Sequence, residues 1–285
     1  MDRLNDILPH IKEQRCGLFI GAGLSRIAGC YDWDSIVKEM LDHPLIVTRG
    51  IKKEELMTNL RNEELILFCK RIFAENNGEE TFWGIARRAM YPEPELFVKD
   101  YLPLIKKLKQ IKPPPRIILT TNIDDCLEST REYEFDKVYF RIEDFTLTKL
   151  DGSGIFHIHG YKEEFQESLL SREKYIPRYR EIEFQNFIKS FFSKYSVIFL
   201  GYSLRDGEIT DLLLETKNER TRHFFLIPEE DGISPSQISA YYDLYGLTTV
   251  IYGRRKDFSK IITEWIDKYF EATSLTSQAV DIPNG

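Results

Sequence analysis

The sequence predicts an α/β fold: a Rossmann-like parallel sheet with helices on both faces and an inserted, mostly helical small subdomain. Three observations predict it. Short apolar runs recur along the chain without alternation, helical periodicity lies between several of them, and glycine-containing turns follow directly where runs end. Unbroken apolarity marks strands covered on both faces, and alternation of strand with helix is the pattern of an open parallel sheet.

Leu4, Ile7, Leu8 and Ile11 recur at helical spacing and predict an amphipathic first helix, which ends before the buried strand Gly17-Leu18-Phe19-Ile20. From about Trp33 to Gln110 the pattern is mostly helical, with runs at Glu54 to Phe73, Thr81 to Met90 and Phe97 to Leu108. It stops at Pro113-Pro114-Pro115, and we read residues 33–112 as a helical insertion. The strand Arg116 to Thr120 follows, then a short strand, Ile155 to Gly160, that ends in glycine. A polar stretch rich in Glu, Arg and Tyr, about residues 161–195, leads into a helix at Ile182 to Lys194 and reads as a second, lid-like insertion over the sheet edge. The strands Ser196 to Leu200, His223 to Ile227 and Thr248 to Tyr252 complete the sheet. Helices are predicted at Asp206 to Thr216, Ser234 to Tyr245 and Phe258 to Phe270, with Pro235 suited to a first helical position. Residues 1–272 are thus expected to form one domain, and the polar tail 273–285 to be disordered.

Composition bounds the function. With 285 residues, 42% hydrophobic and 13% aromatic, the chain can bury roughly 70 to 75% of its unfolded surface without a metal or disulfide. Its formal charge of −7 and sequence pI near 5.5 provide no basic field for a phosphate backbone, so nucleic-acid binding is not expected by default. Cys16, Cys30, Cys69 and Cys126 stand singly, with no C-x-x-C pair, which points to a reducing compartment and no zinc. No signal peptide and no apolar run long enough to span a membrane is apparent, so a cytoplasmic protein is expected.

Four segments carry candidate chemistry, each at the end of a strand. Gly21-Ala22-Gly23-Leu24-Ser25 follows the first strand, where small residues let a backbone approach a pyrophosphate; a tight turn without ligand is the alternative. The third glycine of a dinucleotide fingerprint is replaced by Arg26. In Thr120-Thr121-Asn122-Ile123-Asp124-Asp125, Asn122 can donate and accept hydrogen bonds to ribose hydroxyls or a fixed water, and Asp124 can orient its neighbours; helix capping is the bland reading. His157 and His159, two apart on a strand, are expected to share a face. They could bind a metal, although no third ligand lies nearby; one could fill the core; or His159 could act as a general base at neutral pH. Gly201-Tyr202-Ser203-Leu204-Arg205-Asp206 is a second glycine-and-hydroxyl turn, in which Asp206 is either an N-cap or a ligand contact.

The order of these segments resembles the sirtuin superfamily, whose GAGxS, T-x-N-I-D, HG and GxS motifs match Gly21 to Ser25, Thr120 to Asp124, His159-Gly160 and Gly201 to Ser203. The resemblance implies NAD as substrate. It implies that Gly21, Ala22, Gly23 and Ser25 cradle the pyrophosphate, that Asn122 and Asp124 hold the nicotinamide ribose, that His159 is the base, and that Gly201 and Ser203 face the adenosine half. The family's G-I-P-D-F-R loop is here Gly29-Cys30-Tyr31-Asp32-Trp33-Asp34, keeping the aspartate Asp32 and the aromatic Trp33, while Thr121 replaces the glutamine of T-Q-N-I-D. With the zinc module of deacylases also missing, the chain is most similar to divergent sirtuin-like domains of prokaryotic anti-phage defence. That likeness implies an NAD glycohydrolase releasing nicotinamide and ADP-ribose, restrained by homo-oligomerisation or by a partner such as a HerA-like hexameric ATPase or a nuclease. Two alternatives stay open: an NAD-dependent deacylase or ADP-ribosyltransferase, and a module that senses NAD or ADP-ribose without cleaving it.

Overall fold

Seven parallel strands form one sheet in the order β3-β4-β2-β1-β5-β6-β7 in the computed structural model, which describes residues 6–13, 15–111, 114–131, 137–217 and 222–267. The strands are β1 (Cys16–Ile20), β2 (Ile117–Thr120), β3 (Val138–Tyr139), β4 (Gly154–His157), β5 (Ser196–Leu200), β6 (His223–Pro228) and β7 (Leu247–Tyr252). β1 lies at the centre, with Phe19 in register with Leu119 on one side and Phe199 on the other. On one side of β1 the chain lays down β2, then the short edge strand β3, then β4 between them; it then crosses back to β5, β6 and β7 on the other side.

The alternation of side chains along each strand divides the core into two layers. Leu18, Ile20, Ile118, Ile198 and Phe224 face one layer, where Leu104, Ile105 and Leu108 of the helix Leu102–Lys109 cover them together with Phe258, Ile262 and Ile266. Phe19, Leu119, Phe156 and Phe199 face the other, under Phe184, Phe187, Ile188, Phe191 and Phe192 of the helix Ile182–Lys194. Covering both faces is what makes these strands apolar at every position: β1, β2 and β5 are buried throughout. A separate helical cluster packs beside the sheet, built by Trp33–Leu41, Asn62–Glu75 and Glu79–Ala89 around Val37, Met40, Ile66 and Phe73. The apolar run Glu54 to Phe73 is two helices, Lys53–Asn59 and Asn62–Glu75, because Leu60 and Arg61 are extended. Helix Leu102–Lys109, read as the end of that insertion, packs on the sheet instead.

The helix after β7 occupies residues 258–267. The tail 273–285 and Leu4 lie outside the described residues. No helix among the described residues is long and apolar enough to cross a membrane.

His223, at the start of β6, sits in the phenylalanine layer against Phe192 and Phe199 and accepts the Val197 N–H at Nδ1 (3.3 Å). Burial lowers its pKa to about 3. The unfolded chain therefore binds a proton that the folded chain refuses between about pH 6.5 and 3, and stability falls as pH drops through that window, by about 1.4 kcal/mol per unit from this group. His223→Asn, which keeps an acceptor for Val197, is expected to flatten that slope in urea titrations taken from pH 7 to 4. An unchanged slope would show that His223 does not contribute to the acid sensitivity.

Candidate active site

The crossover at β1 leaves a crevice between the carboxyl ends of β1 and β5, the place where an open parallel sheet holds its ligand. A cavity of about 820 Å³ occupies it. Its wall collects Ala22 and Gly23 from the turn after β1, Thr121 from the turn after β2, His159 from beyond β4, and Gly201 and Ser203 from the turn after β5. Asp32 and Trp33 also line it, whereas Gly21, Ser25, Asn122 and Asp124 are not among its lining residues.

The glycines meet each other. A Cβ on Gly21 would lie 2.6 Å from the Gly201 carbonyl oxygen, and one on Gly23 would lie 2.8 Å from the same atom. Gly23 N donates to that carbonyl at 2.8 Å, so the two turns are joined backbone to backbone. Gly201 itself has φ of +64°, a conformation open to glycine at little cost.

Asn122 and Asp124 stand behind this wall. Asn122 Nδ2 donates to Ser25 Oγ (2.8 Å) and to the Gly21 carbonyl (3.2 Å), and Ser25 Oγ donates to Asp124 Oδ1 (3.0 Å). Asp124 Oδ1 also accepts the Cys126 N–H at 3.1 Å. This network ties the turn after β1 to the turn after β2, across a hundred residues of sequence. Burial raises the Asp124 pKa, partly countered by its hydrogen bonds from Cys126 and Ser25. Asn122 Oδ1 has no partner. Below Asp124, the Cys30 and Cys126 sulfurs are 3.4 Å apart, and contact with Cys30 together with burial pushes the Cys126 thiol far up. Among the described residues, Cys30, Asp124 and Cys126 are the one group whose ligating atoms approach closely enough for a metal, and neither His157 nor His159 belongs to it.

The two histidines part company, against the expectation that they share a face. β4 ends at His157, so strand alternation does not extend to His159. His157 turns toward Asn122 O (Nδ1, 2.7 Å) and Glu128 (Nε2, 2.5 Å). Burial opposes its charge, but the Glu128 carboxylate outweighs it and the pKa is raised. His159 turns to the other side, toward the helix Arg172–Arg180: its Nε2 is 2.7 Å from the Tyr179 hydroxyl, and its ring meets Tyr175 edge-on. Tyr175 and Tyr179 belong to no motif, although their spacing of four within a helix places both on one face.

Asp32 serves as N-cap of Trp33–Leu41, accepting Ser35 N at 2.9 Å, and pairs with Arg26 at 2.7 Å. Asp206 caps the helix Gly207–Thr216 and also reaches His159. The capping reading of Asp206 holds, and both side chains line the cavity.

Residues 116–250 match the family described as "SIR2-like domain". The matched span contains the turns after β2, β4 and β5 but not Gly21–Ser25. The chain is also similar to "NAD(+) hydrolase ThsA" of Cytobacillus dafuensis, 22% identical over 301 residues, covering 96% of this chain and 57% of that protein. The chain thus spans little more than half the length of that relative.

Proposed function

We propose that this chain is an NAD hydrolase that splits the bond between nicotinamide and ribose, releasing nicotinamide and ADP-ribose. The observation that carries the reading is the cavity of about 820 Å³ onto which the turns after β1, β2, β4 and β5 converge. The name of the relative, an NAD(+) hydrolase, supports the same substrate.

The departing nicotinamide begins with a positive ring nitrogen and leaves neutral, so the charge that develops in the transition state is on the ribose. Carboxylates on the wall, Asp32 and Asp206 among them, favour that charge. His159 is assigned the proton of the attacking water. Ala22, Gly23, Gly201 and Ser203 are assigned the phosphates and adenosine half, with Thr121 and Trp33 beside the ribose. Asn122, Asp124 and Ser25 act from behind, by holding the Gly21–Ser25 turn in place. We extend the proposal to a restrained effector of anti-phage defence, kept in check by self-assembly or by a partner ATPase or nuclease; the resemblance to defence-type sirtuin-like domains supports this.

The test is nicotinamide and ADP-ribose formation from NAD by the purified chain, with and without an acetylated lysine peptide. Asn122→Ala is expected to lower release at least tenfold, since it removes two hydrogen bonds that join the turns. Release that depends on the peptide would make the chain a deacylase; NAD binding without release leaves a restrained enzyme or a sensor, which release on dilution of the assembly or on adding its partner separates.

A further inference from the structure

Asp206 uses its two carboxylate oxygens differently. Oδ1 accepts the Ile209 N–H at 3.2 Å and caps the helix Gly207–Thr216. Oδ2 lies 3.4 Å from His159 Nε2, with the two side chains only 10% and 4% exposed. The Asp206 carboxylate also acts electrostatically on the Tyr175 hydroxyl, and the Tyr179 hydroxyl is 2.7 Å from Nε2. The other ring nitrogen of His159, Nδ1, is buried and has no hydrogen-bond partner.

These contacts select one tautomer of the neutral ring. Were Nε2 bare, its lone pair would face a carboxylate, and Nδ1–H would be a buried donor with nothing to accept it, the rarer and costlier defect. With the proton on Nε2, the Tyr179 oxygen accepts it at 2.7 Å beside the Asp206 carboxylate at 3.4 Å, and the unpartnered atom is an acceptor lone pair. We infer that Asp206 is the positioning residue for His159: it holds Nε2–H and leaves Nδ1 as the nitrogen that takes a proton. The same division of labour lets a buried aspartate orient a catalytic histidine on unrelated folds.

The inference deepens the hydrolase reading and rests on it for its kinetic part. In that reaction the water oxygen bonds to the ribose carbon, the electron pair of the carbon–nitrogen bond returns to nicotinamide, and the water's proton passes to His159 Nδ1. The imidazolium so formed keeps its Nε2–H on the Asp206 carboxylate, which stabilises the new charge.

Asp206→Asn and Asp206→Ser both retain a capping oxygen for Ile209, so the helix start is preserved while the carboxylate facing Nε2 is lost. Each is expected to lower kcat for nicotinamide release about 10- to 10³-fold with KM for NAD within about threefold. The ¹⁵N spectrum of the imidazoles supplies a readout that a cap alone would not move. The wild-type chain is expected to show His159 protonated at Nε2 and bare at Nδ1, and Asp206→Asn to show a mixture of tautomers. A wild-type ring protonated at Nδ1, or a variant with unchanged tautomer and kcat, overturns the inference. The spectrum needs no turnover, so the tautomer decides the role of Asp206 whether or not the wild-type chain releases nicotinamide.

Discussion

His159→Ala is expected to slow nicotinamide release by about 10²- to 10⁴-fold, the usual cost of removing a positioned general base. His159 is the only histidine among the cavity's lining residues, and imidazole is the side chain suited to taking a proton near neutral pH. The effect belongs to kcat, because a proton that moves only in the transition state contributes little to ground-state affinity. Removing the ring also strands the Tyr179 hydroxyl and one Asp206 oxygen, at a cost of about 1 to 3 kcal/mol in stability. The assay therefore belongs well below the variant's own melting temperature, with NAD affinity measured on the same sample. A variant that binds NAD and releases nicotinamide within threefold of wild type would remove His159 from the mechanism.

The second large effect is on the fold. Gly201→Ala is expected to lower stability by about 3 kcal/mol, combining backbone strain at positive φ with overpacking. The new Cβ would stand 2.3 Å from Leu24 N and 2.7 Å from the Gly23 carbonyl carbon, and φ at Gly201 is +64°. These neighbours are backbone atoms of the facing turn, so no side-chain rotation relieves the clash; the turns after β1 and β5 must separate. For a domain of this size the loss corresponds to roughly 6 to 12 °C in Tm. Gly207→Ala makes the comparison, since nothing lies within 4 Å of a Cβ there. Equal melting temperatures for the two variants would mean that the turns are not closely joined.

The same pair of turns shows how far a sequence can be read. Each glycine was visible as a turn signal, and a ligand's approach was the natural reason for it. The nearer reason is that Gly21 and Gly23 face Gly201 across the crevice, some 180 positions away along the chain. Asn122 and Asp124 were likewise legible as polar side chains at a strand end, but nothing local said that they bond to Ser25 behind the wall rather than face the cavity. Asp206 was read as a cap or a contact, two readings that exclude each other only if one oxygen is counted.

What the sequence determined by itself is the set of elements. β1, β2, β5, β6 and β7 fall within a residue of the predicted apolar runs, because burial on both faces of a parallel sheet writes itself into every position of a strand. Ser234 with Pro235 began its helix as predicted, the capping box being a local device. The two-residue strand β3 left no such trace, being too short to show a period. Only the tertiary structure decided the strand order, the side to which His159 turns after β4 ends, and its meeting with Tyr175, Tyr179 and Asp206. The physical reason is range: periodicity and capping are set by neighbours within a turn or a pleat, whereas the crevice is set by which buried faces pack together, and that choice belongs to the whole chain.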